Sequence, residues 1–384
     1  MKRIITFLLA FLFCVLSPAS CLANNDESKK EVKAVDVTAK SSILMCMDTG
    51  DIIYENNAYE HCSPASVTKI MGILLFLEAI DSGKIGLDNE VSASETAVSK
   101  GGSQIWLEVG ETMTVEELLK AVIVASANDA CTALGEYVAG SDTGFVKMMN
   151  DRAEELGLKD SNFENCTGLD DTTENHYSCA YDLAVIAKEV MKHDIVKDYS
   201  TIWLDYLRNG KTELNNTNKL VNKYNGITGL KTGTTSNAGF CLCATAERDG
   251  MNLVAVVLGC KTSEERFKSA SNLLDFGFAN YEIIEPQIDE SKITNVSVKL
   301  GKEKYLKPYY NDSNKILVKK GSGEITYQYD INEEITAPVV KGDEVGKITL
   351  FSDDKEIKTI TLTADKNIQK IDYSYIFKKM LCNI

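Results

Sequence analysis

Short apolar runs near both ends of the first 280 residues predict β-hairpins. Residues 41–47 and 52–54 are largely apolar and flank one polar turn, and residues 240–246 and 253–258 flank another. Helical periodicity dominates the long stretch between these two pairs. The pattern therefore predicts one antiparallel sheet whose strands come from both ends of the segment and whose faces are flanked by helices, an α/β (α+β) arrangement.

Two of the intervening helices have recognisable starting points. Pro64 precedes an apolar run over residues 70–77, and proline favours the first turn of a helix, so a buried helix is predicted to begin near Ser66. Thr114 and Glu117 have the spacing of a capping box, which predicts the start of a second helix.

The composition changes near Pro286. Short alternating runs beyond that point predict a separate all-β domain over residues 287–368, after an α+β domain over residues 37–282. The last segment, residues 369–384, mixes aromatic residues with two lysines. Such a tail either lies on a membrane surface or packs on its own domain, and the sequence leaves both interpretations open.

The N-terminus carries the features of an export signal. Lys2 and Arg3 precede an apolar run, and Cys21-Leu22-Ala23 provides a small-x-small cleavage site, so residues 1–23 are predicted to be a secretory signal peptide. Residues 24–36 are polar and are predicted to form a mobile leader. The expected location of the mature protein is extracytoplasmic, at the cell wall or the outer face of the cytoplasmic membrane.

Charge and composition exclude several classes of function. The 384-residue chain has a formal net charge of −15, which argues against binding nucleic acid through electrostatic attraction. Its 11 cysteines are scattered through apolar segments, where cysteine behaves as a small buried side chain rather than as part of a disulfide framework. The three histidines lack metal-ligand spacing, so neither a metal nor a cofactor is predicted.

Ser66 and Lys69 are the first candidates for chemistry. Residues three apart share a helix face, so the Lys69 amine can reach the Ser66 hydroxyl and act as the base that a serine nucleophile requires. The spacing alone is weak evidence, because it recurs at Ser352 and Lys355 in a polar stretch that is typical of a turn.

Two later motifs strengthen this interpretation. Ser126-Ala127-Asn128 falls at a predicted break between helices, where a hydroxyl can relay a proton and an amide can hold a substrate carbonyl, although an N-cap pair would look the same. Lys231-Thr232-Gly233 is predicted to lead into a strand. There, glycine would allow close approach of a substrate backbone, and lysine with threonine would bind a carboxylate; a solvated turn is the alternative.

In this order the three motifs resemble those of penicillin-binding proteins and class A β-lactamases. The wider segments 63–71, 126–131, 176–178 and 229–235 are similar to the D-alanyl-D-alanine carboxypeptidases, the low-molecular-mass penicillin-binding proteins of peptidase family S11. The resemblance covers about residues 37–282 tightly. It implies a serine β-lactamase/penicillin-binding-protein-like fold and a carboxypeptidase that removes the terminal D-alanine from peptidoglycan pentapeptides and is inhibited by β-lactams.

The resemblance also implies a role for each motif residue. The catalytic residues would be the nucleophile Ser66, its base Lys69 and the proton relay Ser126. Backbone N–H groups of Ser66 and Thr234 would form the oxyanion hole. The remaining substrate-binding residues would be Asn128, Lys231, Thr232 and Gly233, with the lysine and threonine on the terminal carboxylate.

One physical requirement follows. A free lysine has a pKa near 10.4, so Lys69 needs a fall of about 3 units to act as a base near neutrality. Burial and the positive charge of Lys231 are both expected to lower it.

Two rival functions remain open, and the sequence departs from the family's motifs at two positions. A β-lactamase would need a carboxylate to activate water, and Glu164 lies in a suggestive region without the class A pattern. A non-catalytic wall-binding protein on the same fold is the other alternative. Ala127 and Thr234 stand where Gram-negative relatives commonly carry glycine and histidine, which leaves substrate preference open.

Overall fold

The computed structural model describes residues 35–171, 173–310 and 315–381. The predicted signal peptide and the predicted leader up to residue 34 lie outside the described residues, so both stay predictions. The described backbone begins with an extended segment in which the Thr38 amide donates a hydrogen bond of 3.1 Å to Ser269 Oγ.

A five-stranded antiparallel sheet forms the centre of the N-terminal part. The strands of this part are β1 (Ser41–Cys46), β2 (Ile52–Asn56), β3 (Glu90–Ser92), β4 (Thr112–Thr114), β5 (Leu204–Leu207), β6 (Thr212–Asn215), β7 (Ile227–Thr235), β8 (Gly239–Arg248) and β9 (Met251–Cys260). The sheet has the order β2-β1-β9-β8-β7, with Ser41 opposite Leu258, while β3–β4 and β5–β6 form separate two-stranded ribbons. The predicted sheet with strands from both ends of the segment is confirmed.

Helices cover both faces of this sheet. They are α1 (Lys69–Asp81), α2 (Glu95–Val98), α3 (Val115–Val124), α4 (Asn128–Ala139), α5 (Asp142–Glu155), α6 (Ala180–Val190), α7 (Asp194–Ser200) and α8 (Ser263–Asn280), with single 3₁₀ turns at Ala65–Thr68 and Lys219–Asn222. In β1, Ile43 and Met45 belong to the core that contains α1, α3 and α4, whereas Leu44 belongs to the core beneath α8. Alternate side chains of one strand thus contribute to two cores.

The predicted capping box is present at the start of α3. Thr114 Oγ1 accepts a hydrogen bond from the Glu117 amide at 3.2 Å, and Glu117 Oε2 accepts one from the Thr114 amide at 3.1 Å. Because α3 ends at Val124 and α4 begins at Asn128, Ser126 lies at a break between helices, as the sequence predicts.

The described residues of the C-terminal part are all β, as predicted, apart from one 3₁₀ turn at Glu290–Lys292 and a helix near the end. Its strands are β10 (Tyr281–Ile284), β11 (Val296–Lys299), β12 (Tyr305–Leu306), β13 (Pro308–Tyr309), β14 (Ile316–Lys319), β15 (Ile325–Ile331), β16 (Glu334–Thr336), β17 (Glu344–Ser352) and β18 (Lys355–Ala364). The largest sheet has the order β13-β18-β17-β15. Strand β10 follows α8 directly and pairs with β14.

The chain's last described element is the helix α9 (Tyr373–Leu381), which has no buried residue. None of the helices within residues 35–171, 173–310 and 315–381 has the length and apolar character needed to cross a membrane. The eight described cysteines are all buried free thiols, consistent with their prediction as small buried side chains.

Candidate active site

The predicted nucleophile lies on a tight turn that leads into α1. Ser66 is half-buried in the 3₁₀ turn Ala65–Thr68, and Lys69 is the first residue of the helix. The turn is held from outside by Gly168, whose φ is +82° and where a Cβ atom would lie 1.8 Å from the Ala65 carbonyl oxygen. Only glycine permits this approach, so the segment around Gly168 fixes the backbone that carries the serine.

The amine of Lys69 is aimed at the Ser66 hydroxyl. Its Nζ lies 2.9 Å from Ser66 Oγ and donates a hydrogen bond of 2.7 Å to the Thr167 carbonyl oxygen. The side chain is completely buried, and this desolvation lowers the pKa of Lys69 to about 8. A substantial neutral fraction is therefore available near neutral pH, and its lone pair can accept the serine proton.

Ser126 and Asn128 present unpartnered polar atoms at the break between α3 and α4. Ser126 has a φ of +64°, a strained value for serine, and its buried Oγ has no hydrogen-bond partner among the described residues. Asn128 Nδ2 donates to the Gly101 carbonyl oxygen at 2.6 Å, and within the same described set its buried Oδ1 also lacks a partner. The asparagine thus offers an acceptor for a substrate N–H, and the second N–H of its Nδ2 is a donor for the substrate carbonyl expected from sequence.

The third motif lies within a strand, which corrects one expectation. Lys231, Thr232 and Gly233 form the middle of β7 instead of preceding it, because they are paired with β8 over the full length of the motif. A Cβ atom on Gly233 would lie 2.7 Å from the Pro64 carbonyl oxygen and 3.0 Å from the Ser66 amide nitrogen. The edge strand β7 therefore runs directly against the serine turn.

Lys231 is buried and shares its surroundings with two other cations. Burial, followed by the charges of Lys69 and Arg266, lowers the pKa of Lys231 well below its usual value. The expected fall in the pKa of Lys69 is present, but burial accounts for it. The positive charge of Lys69 instead lowers the pKa of Lys231. An anion bound beside Lys231 would offset this repulsion and favour the protonated form of that lysine.

Arg266 is the main site residue that the sequence analysis missed. It is buried on α8, and its guanidinium donates hydrogen bonds to the Gly233 carbonyl oxygen at 3.0 Å and to Thr234 Oγ1 at 2.9 Å. Its Nε is buried with no partner in the described part of the chain. No local motif marks this arginine. The signal in the sequence is a charged residue among the apolar positions of the predicted helix that starts at Thr262.

His176 supports the serine turn from below. Its Nδ1 accepts a hydrogen bond of 3.0 Å from the Glu164 amide, and its Nε2 lies 2.8 Å from Thr68 Oγ1. Burial lowers the pKa of His176 to about 4. The imidazole is therefore neutral at physiological pH, and Nε2 donates to the threonine.

The carboxylate considered for a β-lactamase is bonded to its own loop. Glu164 is exposed, and its Oε2 accepts hydrogen bonds from the amides of Glu174 and Asn175. This geometry gives the side chain a role in shaping the loop before His176. Within the described residues, no hydrogen bond links this carboxylate to Ser66.

One cluster in the described residues has metal-ligand atoms close together. Oxygen and sulfur atoms of Asp160, Cys179 and Asp182 lie within 4.8 Å of one another. Asp182 already accepts hydrogen bonds from the Asp160 amide at 3.0 Å and Ser161 Oγ at 2.8 Å, and Cys179 caps α6. These contacts explain the cluster as part of a helix start, and the absence of a metal stays a prediction.

A buried lysine amine on a serine hydroxyl, in place of a histidine, defines the lysine-activated class of serine acyl-transfer enzymes, to which penicillin-binding proteins belong. The chain belongs to one family within that class, peptidase family S11, described as "D-alanyl-D-alanine carboxypeptidase", which matches residues 27–262. Residues 281–370 match the family described as "Penicillin-binding protein 5, C-terminal domain".

Individual relatives agree with this assignment. The D-alanyl-D-alanine carboxypeptidase DacF of Bacillus subtilis (strain 168) is 39% identical over 386 residues, covering 99% of this chain and 98% of the relative. Penicillin-binding protein 5 from Haemophilus influenzae superposes with a TM-score of 0.78 at 30% identity, over 87% of this chain and 98% of that one. The ampicillin-bound form of penicillin-binding protein D2 from Listeria monocytogenes has a TM-score of 0.58 at 31% identity, over 63% and 98%.

The matches confirm the family, fold class, enzyme class and carboxypeptidase function predicted from the sequence. Peptidoglycan, the material on which this family acts, lies outside the cytoplasm. The chain is therefore an extracytoplasmic serine carboxypeptidase of cell-wall metabolism.

Proposed function

We propose that this protein removes the terminal D-alanine from peptidoglycan pentapeptides through an ester formed on Ser66. The observation that supports this most directly is the 2.9 Å approach of the buried Lys69 amine to the Ser66 hydroxyl. Lys69 is the proposed catalytic residue whose pKa is lowered to about 8, and Ser66 is the hydroxyl with which its amine forms a hydrogen bond. We assign the chemistry to the domain over residues 37–282, followed by the β domain over residues 287–368.

Acylation begins when neutral Lys69 accepts the proton of Ser66. The serine oxygen attacks the carbonyl carbon of the penultimate D-alanine, and negative charge develops on the carbonyl oxygen. Backbone N–H groups of Ser66 and Thr234 would stabilise this oxyanion. Gly233 packs closely against the Ser66 amide. This contact supports the assignment, because it brings the backbone of β7 next to the backbone of the serine turn.

Collapse of the intermediate requires a proton on the departing amine. Ser126 is suited to transfer it from Lys69, because its buried hydroxyl has no competing partner among the described residues. D-Alanine then leaves, and water hydrolyses the ester and restores the Ser66 hydroxyl.

The substrate carboxylate is the natural anion for the group of buried cations. Lys231 and Thr232 would bind it directly, and its charge would offset the repulsion among Lys231, Lys69 and Arg266. Thr232 Oγ1 donates a hydrogen bond of 2.7 Å to Thr217 Oγ1, and this one O–H would turn to the carboxylate when substrate binds. Penicillins carry a carboxylate next to a reactive amide, so we expect them to acylate the same serine.

The test is to follow D-alanine release and to locate the penicillin adduct. The native protein should release D-alanine from an acetylated D-Ala-D-Ala peptide. After incubation with benzylpenicillin and tryptic digestion, mass spectrometry should find a long-lived adduct on the peptide spanning residues 41–69, at Ser66. Rapid penicillin turnover would favour a β-lactamase, and an absence of both release and adduct would favour a wall-binding protein.

We also propose that helix α9 lies on the outer surface of the cytoplasmic membrane. Its apolar side chains are exposed at helical spacing, at Tyr373, Ile376, Phe377, Met380 and Leu381. Lys378 and Lys379 stand beside them, and anionic lipid attracts such a combination. The Tyr375 hydroxyl donates to the Lys302 carbonyl oxygen at 2.8 Å and holds the helix to the β domain.

Vesicle sedimentation tests this placement. Phe377→Asp is expected to lower binding to vesicles containing anionic phosphatidylglycerol several-fold, because a charge would enter the apolar face. Release of D-alanine from a soluble peptide should not change. Tyr309→Asp, at an exposed aromatic residue of the β domain, is the matched control. Equal binding by Phe377→Asp and the unaltered protein would contradict the proposal.

A further inference from the structure

An indole is held out into solvent beside the candidate active site. Trp106 is 74% exposed, the largest exposed fraction of any large apolar residue in the described part of the chain before α9. It lies in the segment between α2 and β4, and its φ of +59° is a strained value for tryptophan. Neither packing nor backbone preference accounts for this placement, so a contact with a ligand is the more economical explanation.

Two charged side chains fix the backbone that carries Trp106. The buried carboxylate of Asp129 accepts hydrogen bonds from the amides of Ile105 and Leu107, the residues on either side of the tryptophan. From the β5–β6 ribbon, Arg208 donates to the Ile105 carbonyl oxygen at 2.8 Å. The Asp129 carboxylate and the Arg208 guanidinium thus hold the backbone in a conformation that exposes the indole ring to solvent.

The same segment contacts the residues proposed to bind substrate. The carbonyl oxygen of Ser103 accepts a hydrogen bond of 2.7 Å from the Asn128 amide, three residues before Trp106. Thr217, just beyond the β5–β6 ribbon, bonds to both the Val124 carbonyl oxygen and Thr232 Oγ1. Both walls of the groove that holds Trp106 therefore continue into the substrate site.

The groove has the chemistry of a cation site. Its volume is about 600 Å³, and its charged lining residues are Glu108, Glu111, Arg208, Lys211 and Glu213. Arg208 and Glu111 form an ion pair at 2.6 Å, which leaves two carboxylates against one ammonium group. An indole face with an excess of carboxylate attracts an organic cation, and tryptophan is the strongest side chain for this contact.

We propose that this groove binds a side-chain ammonium group on the stem peptide, upstream of the terminal D-Ala-D-Ala. The proposal rests on the proposed function, because that reaction places such a peptide in the neighbouring site. Trp106 supplies the cation–π contact, and Glu108 and Glu213 supply the compensating charge. The groove would make the enzyme prefer stem peptides whose preceding residue carries a free amine.

Two substrates that differ by one acetyl group test the preference. The native protein is expected to cleave Nα-acetyl-lysyl-D-Ala-D-Ala about two- to fivefold faster, in kcat/KM, than the Nα,Nε-diacetyl peptide. Trp106→Ala should bring this ratio to about one. Trp106→Phe should restore part of the ratio, because a phenyl ring is a weaker partner for a cation.

A binding measurement separates failure of this proposal from failure of the proposed function. In the double variant Ser66→Ala, Trp203→Phe, Trp106 is the only tryptophan, so its fluorescence reports occupancy of the groove without catalysis. The free-amine peptide should change the emission at lower concentration than the diacetyl peptide. Equal affinities, or a kcat/KM ratio that persists in Trp106→Ala, would overturn the ammonium subsite whether or not D-alanine is released.

Discussion

Ser66→Ala and Lys69→Met are each expected to lower kcat/KM for D-alanine release by about 10⁴- to 10⁶-fold. The double variant should lose no more than the worse single variant, because nucleophile and base act as one unit at their 2.9 Å separation. Release is measured by coupled oxidation of D-alanine, and thermal unfolding checks that each variant is folded. Independent, multiplicative losses would show that Lys69 is not the base for Ser66.

The pH dependence provides a second measure of the same pair. Because burial lowers the pKa of Lys69 to about 8, its neutral fraction grows about tenfold per pH unit below 8 and saturates above it. The second-order rate of acylation by benzylpenicillin should follow that curve between pH 6 and 9. The carboxylate of penicillin does not titrate in this range, so a flat profile would contradict the assignment of Lys69 as base.

Gly233→Ala is expected to lower the acylation rate by about 10²- to 10³-fold, the loss typical of a damaged oxyanion hole. The new methyl group would lie 2.7 Å from the Pro64 carbonyl oxygen, so β7 would have to move away from the serine turn. Stopped-flow acylation by a chromogenic cephalosporin measures the rate. Gly86→Ala is the matched control, since its Cβ atom would meet only ordinary contacts with Asn89.

The outcome for Gly233→Ala separates two interpretations of the motif. If the glycine serves only the strand, alanine should be tolerated, because alanine is no worse than glycine in a sheet. A loss of acylation with an unchanged unfolding midpoint would instead indicate that acylation requires the close approach of β7 to the serine turn. Retention of more than about a third of the native rate would remove the support that Gly233 gives to the proposed oxyanion hole.

Local patterns predicted the elements that carry the site. The Ser66–Lys69 spacing works because three residues of helix bring hydroxyl and amine to one face, and this depends on nothing distant. The same spacing at Ser352 and Lys355 lies across a tight turn between β17 and β18, where Asp353 and Asp354 have positive φ values. Apolar context rather than spacing distinguished the two pairs.

The contacts missed by sequence analysis are those between distant segments. Arg266 on α8 donates a hydrogen bond to the carbonyl oxygen of Gly233 on β7. The Thr167 carbonyl oxygen accepts a hydrogen bond from Lys69, although nearly 100 residues separate the two. Backbone groups carry no identity in a sequence, so a carbonyl acceptor leaves no motif. Similarly, the pairing of β7 with β8 places Lys231 within a strand that was expected to begin only after Gly233.

The pairing of β1 with β9 has a consequence for the order of assembly during export. Strand β1 pairs with β9, with Ser41 opposite Leu258, and the sheet continues from β9 through β8 to β7. The serine turn packs against β7, so it lacks this support until almost the entire first domain has emerged. Contacts so far apart in sequence form late and slowly. A chain that crosses the membrane unfolded from its N-terminus would therefore gain acylating ability only after β9, which ends at Cys260, has crossed.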